Sequence, residues 1–121
     1  MRVIHFEIPA DNPEKASKFY QDVFGWTIEK WEGPIDYWII TTGPEGEPGI
    51  DGGLMKREGS QTGMVNTIGV PSVDEFTEKI EKAGGQVVAP KMAVPGVGYM
   101  AYCQDTEGNT FGIMEMDENA K

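Results

Sequence analysis

The chain has 121 residues, 39% hydrophobic and 25% charged, the proportions of one folded domain with its own core. A net charge of −10 sets up a field that repels phosphate backbones and argues against a nucleic-acid partner. No apolar run reaches the roughly 18 residues that span a bilayer, and the first residues lack a signal-peptide core. No membrane partner and a cytoplasmic location are therefore expected.

In chain order, Val3, His5 and Glu7 alternate with Ile4, Phe6 and Ile8, a period-two strand signal. Asn12 suits a helix cap and Pro13 the first helical position. An apolar stripe of Ala16, Phe19, Tyr20 and Val23 then runs to a stop near Gly25. Strand-like runs follow at 26–31, 36–42 and 50–56, punctuated by Gly33-Pro34 and the Gly/Pro-rich stretch 43–49. Residues 58–63 read as a link. Val65-Asn66-Thr67-Ile68-Gly69-Val70-Pro71 then matches Val3-Ile4-His5-Phe6-Glu7-Ile8-Pro9. Ser72-Val73-Asp74-Glu75 is a capping box for a helix that buries Val73, Phe76 and Ile80 and ends at Gly84-Gly85. Further strands are expected at 86–93, 97–104 and 109–116, with a turn at Asp105–Asn109. Pro95-Gly96-Val97-Gly98 reads as a tight strand connection whose glycines would also permit movement. The tail from Asp117 is expected to fray. The single Cys103 excludes an internal disulfide and a multi-cysteine zinc site, and reads as a small buried hydrophobe.

A repeat of this period signals a duplicated structural unit. The order β-α-β-β-β, twice, predicts an α+β fold of two tandem βαβββ units, about 1–57 and 64–117, within a single domain 1–121. Each sheet would cover one face with its own helix, and the other two faces would enclose a concave cleft suited to a ligand. The helices should cover Ile4-Phe6-Ile8 and Ile68-Val70, leaving Val3-His5-Glu7 and Val65-Thr67-Gly69 toward the cleft. Through a shared glycine, Asp51-Gly52-Gly53-Leu54-Met55 aligns with Phe111-Gly112-Ile113-Met114-Glu115. Met55 then corresponds to Glu115, and Thr67 to His5. One His and one Glu on adjoining strands are the residue types that hold a divalent ion. Met55 and Thr67 read as pocket wall, and Glu7 as lining a solvated mouth. Trp26, Trp31, Tyr37, Trp38, Tyr99 and Tyr102 would wall the cleft, or fill the core or a dimer interface.

Several of these stretches together resemble the vicinal oxygen chelate superfamily of glyoxalase I, the bleomycin and fosfomycin resistance proteins and the extradiol dioxygenases. The resemblance rests on His5, on Phe19-Tyr20-Gln21-Asp22-Val23-Phe24-Gly25-Trp26, on Gly52-Gly53-Leu54-Met55, and on Pro95-Gly96-Val97-Gly98 followed by Asp105-Thr106-Glu107-Gly108-Asn109-Thr110-Phe111 running to Glu115. It implies a homodimer, and metal ligands drawn from the first and fourth strands of each unit: His5, Met55, Thr67 and Glu115. A divalent ion (Zn, Ni, Mn or Fe) would be held by His5 and Glu115, with Glu115 also the catalytic base. Met55, Thr67, Trp38 and Tyr99 would contact the ligand. A glyoxalase-type site would carry a carboxylate at Met55 and a His or Gln-like ligand at Thr67, and a dioxygenase site would carry two His and one Glu; this chain departs from both. Two functions are thus expected in parallel, beside a pure interaction role through the dimer surface. One is a metal-assisted lyase or isomerase, lactoylglutathione lyase-like or dioxygenase-like, acting on a small metabolite. The other is metal-independent binding or sequestration of a small molecule, as in bleomycin resistance.

Overall fold

The computed structural model describes residues 1–59 and 63–121, so the middle of the expected link over 58–63 lies outside the described residues. Among the described residues are eight strands and two helices in the order β-α-β-β-β, twice, an α+β arrangement. Contacts divide the chain into two compact units, His5–Met64 and Val65–Lys121 with Met1–Ile4. The opening residues group with the second half because the Arg2 carbonyl accepts the Gly69 N–H at 3.0 Å. Ile4 also lies against the bare α-carbon of Gly69. Ile4 is accordingly not under a helix, as its alternation with Phe6 suggested, but 39% exposed.

The first unit comprises β1 (Val3–Ala10) from His5 onward, α1 (Pro13–Phe24), β2 (Thr27–Lys30), β3 (Tyr37–Thr41) and β4 (Gly52–Lys56). Its strands are ordered β2-β3-β4-β1, with β1 parallel to β4 and the other pairs antiparallel. Asn12 caps α1 by accepting the Lys15 N–H at 3.2 Å. Gly25, at φ 73°, returns its N–H to the Gln21 carbonyl. The core holds Ile8, Ala10, Ile28, Ile40 and Leu54, with Ala16, Tyr20, Trp26 and Trp38 against it. The helix is rotated from the expected stripe: Pro13, Ala16, Ser17 and Tyr20 face inward, while Phe19 and Val23 are more than half exposed. Stacking of Tyr20 on Trp26, with ring centroids 5.1 Å apart and planes nearly parallel, accompanies that rotation.

The second unit contributes β5 (Val65–Gly69), α2 (Val73–Lys82), β6 (Gln86–Val94), β7 (Gly98–Gln104) and β8 (Thr110–Met116). The order is β5-β8-β7-β6, with β5 parallel to β8. Ser72 caps α2 by accepting the Glu75 N–H. Val70, Val73, Ala101, Cys103 and Ile113 form the core, with Ile68, Phe76, Ile80 and Tyr99 packed on it. Cys103 is fully buried, and burial pushes its thiol pKa up, so it behaves as a small hydrophobe. Between β6 and β7 the Val97 N–H reaches the Val94 carbonyl at 2.9 Å, with Gly96 at φ 75°. Pro95 and Gly96 are the two central residues that a type II turn favours, so this is a tight connection.

The tail does not fray. The Asp117 N–H donates to the Val97 carbonyl, the Ala120 carbonyl accepts from Gly96 N–H, and Ala120 is buried. Turn backbone left without partners by its own hairpin recruits the tail. Among the described residues no helix is long and apolar enough to cross a membrane.

Candidate functional site

Strand register decides which side chains share a face. In the first unit Phe6 pairs with Gly52 and Ile8 with Leu54, and this set faces α1. Their alternates His5, Glu7, Gly53, Met55 and Tyr37 therefore lie on the face turned away from α1. There the Tyr37 hydroxyl donates to Glu7 Oε2 at 2.9 Å and lies 2.8 Å from His5 Nε2. Tyr37 occupies the space a side chain at Gly53 would need, since a Cβ there would overlap its hydroxyl and ring. Glu7 is 4% exposed, so it lines no solvated mouth; it is buried within hydrogen-bond reach of the Tyr37 hydroxyl. Burial pushes the His5 imidazole below its ordinary pKa, against the opposing pull of Glu7 and then Asp51. The ring is thereby biased toward its neutral form.

In the second unit Ile68 pairs with Ile113, and Ala101 pairs with the same residue, all facing α2. Glu115 lies on that same side and accepts the N–H of Val73, the first residue of α2, at 3.0 Å. A carboxylate at this place satisfies an otherwise orphaned N–H and meets the positive end of the helix dipole. Tyr99 pairs with Glu115, and Lys91 sits 4.7 Å over the Tyr99 ring while holding Asp74 at 2.9 Å. The shared-glycine alignment of Met55 with Glu115 is thus off by one. Phe6 pairs with Gly52, but its counterpart Ile68 pairs with Ile113, so Leu54 and not Met55 occupies the position equivalent to Glu115. A one-residue slip moves a side chain to the opposite face.

The six residues singled out from the sequence are consequently dispersed over sheet faces. His5 and Met55 lie on the α1-remote face of the first unit, and Trp38 lies on its α1 face, packed on the core. Glu115 and Tyr99 lie on the α2 face of the second unit. Thr67 lies on the opposite face of that sheet, 3% exposed, its Oγ1 without a protein hydrogen-bond partner among the described residues. A Cβ on its strand neighbour Gly112 would come within 2.8 Å of that oxygen.

Among the described residues no group of three or more His, Cys, Asp or Glu side chains could hold a metal ion. The donor set carried over from the superfamily does not fit one either. His5 Nε2 and the Glu115 carboxylate already hold protein partners, and a thioether and a neutral hydroxyl are poor ligands for hard divalent ions. The His5–Tyr37–Glu7 chain was not legible as a unit, because Tyr37 reads in the sequence as one aromatic among many. The signal that could have found it is the Gly52-Gly53 doublet inside a strand, which marks close approach of another group.

Known proteins match this architecture. The family model described as Glyoxalase/Bleomycin resistance protein/Dioxygenase superfamily matches residues 2–113. A "Glyoxylase-like domain-containing protein" of Didymella fabae is 33% identical over 116 residues, 88% of this chain and 88% of that protein. CFP32 of Mycobacterium tuberculosis is 30% identical over 93% of this chain, which spans only 45% of that longer protein. Among solved structures, a methylmalonyl-CoA epimerase variant of Streptomyces coelicolor, in complex with 2-nitronate-propionyl-CoA, superposes with a TM-score of 0.72. The match covers 100% of this chain and 98% of that one at 13% identity, a likeness of fold.

Proposed function

Because this chain belongs to the Glyoxalase/Bleomycin resistance protein/Dioxygenase superfamily, we propose that it binds a small metabolite without a resident divalent ion. It would work in the manner of the resistance-type binding proteins rather than of the metal-dependent lyases and dioxygenases. The observation that carries this reading is the engagement of Glu115: the carboxylate that would serve an ion accepts the first N–H of α2. The ligand seat we assign is the α1-remote face of the first sheet. His5, Tyr37 and Glu7 form its polar row and Met55 an apolar wall, the mixture that small-molecule sites use. The same reading takes in a homodimer and an intracellular location. The first is supported by the exposed Phe19, Val23 and Phe24 of α1, and the second by a lone, buried thiol.

The test is a thermal-shift series on metal-stripped protein with Zn²⁺, Ni²⁺, Mn²⁺ and Fe²⁺, run beside His5→Ala. Anything that binds the native state raises the melting temperature. The expected outcome is that no ion raises the parent more than the variant, while members of a metabolite set raise the parent alone. A rise of several degrees with one ion, lost in His5→Ala, would restore the metal-enzyme reading.

A further inference from the structure

We infer that Tyr37 is a positioning residue. It holds His5 in the tautomer protonated at Nε2 and leaves Nδ1 as the acceptor for a ligand that brings a proton on oxygen or nitrogen. This assignment rests on the metal-free reading of the same face. Its logic is a count of protons. A phenol has one, and that of Tyr37 is donated to Glu7. The Tyr37 oxygen, 2.8 Å from His5 Nε2, can then only accept, so Nε2 carries the imidazole proton. A neutral imidazole has a single N–H, which leaves the lone pair on Nδ1. Glu7 fixes the polarity of the row because a buried carboxylate strongly demands donors. Gly53 fixes the phenol, since no side chain at that position would leave room for it. The His5 side-chain hydrogen bond among the described residues uses Nε2, and the ring is only partly buried, so Nδ1 is the nitrogen left to read a ligand.

His5 is the only histidine, so nitrogen NMR of ¹⁵N-labelled protein reports this ring without assignment ambiguity. In metal-stripped, ligand-free protein above neutral pH, we expect a pyrrole-type Nε2 and a pyridine-type Nδ1. Tyr37→Phe keeps the ring over Gly53 and removes the hydroxyl; the two nitrogens should then move toward a common averaged shift. Glu7→Gln, whose amide can donate to the Tyr37 oxygen and free its hydroxyl proton for His5, should move them in the same direction. This second variant decides the matter if Tyr37→Phe does not fold. A parent protonated at Nδ1, or spectra unchanged by both variants, overturns the assignment. Zn²⁺ is added last: a coordination shift on the imidazole would defeat the metal-free reading, an outcome distinct from a wrong tautomer in the stripped protein.

Discussion

Thr67 and His5 occupy equivalent places at the start of their units, yet their polar atoms have opposite fates. The His5 nitrogen has a partner that is itself held, whereas the Thr67 hydroxyl is buried with no protein partner among the described residues. An unsatisfied buried hydroxyl costs about 1–3 kcal/mol, and an apolar group of the same shape removes the cost. Thr67→Val should therefore raise the stability of the unliganded protein by about 1 kcal/mol, read from the urea midpoint. A less stable variant would mean that the hydroxyl finds a partner in solution. The side chain would then be structural and not held in reserve for a ligand. The residue types were legible in the sequence; their partners were not. Nothing local distinguishes Tyr37, whose hydroxyl bridges two residues about thirty positions upstream, from Tyr20, which stacks on a tryptophan.

Strands and helices were readable because their punctuation is local: Asn12, Pro13 and Gly25 bound α1, and Ser72 and Gly84 bound α2. Their rotation and register were not, because these depend on what packs opposite. The stripe expected through Phe19 and Val23 turns toward Pro13 and Ser17 in the structure. The shared glycine aligned β4 with β8 one residue away from the register that the strands adopt. Glu115 follows from that register. As a cap on α2 it should stabilise the protein with no ligand present, and Glu115→Ala should cost about 1–2 kcal/mol by urea denaturation of metal-stripped samples. An unchanged midpoint would remove the structural role and return the carboxylate to the list of functional groups. Lys91 moderates the expectation little, for its ammonium is directed at Asp74.

The duplicated organisation was the most legible property of the whole molecule, since hydrophobic period and turn residues recur in the same order in each half. The treatment of the terminal segments was not. Residues 117–120 were expected to be loose, yet they complete the backbone pairing of the β6–β7 turn through Gly96 and Val97. A chain ended at Met116 should lose the two backbone hydrogen bonds that tie the tail to Gly96 and Val97, together about 2 kcal/mol, and melt several degrees lower. A melting temperature equal to that of the parent would show the contacts to be incidental. The same grouping bears on how the protein is made. Met1–Ile4 are synthesised before residues 5–64, yet they group with Val65–Lys121, and Gly96 waits for Ala120. Residues 5–64 can pair among themselves during synthesis, but the second unit has its full set of strands only once β8 has emerged. Its opening strand segment therefore stays an unpaired edge until β5 follows, the stage at which a chaperone or a second nascent copy would find it.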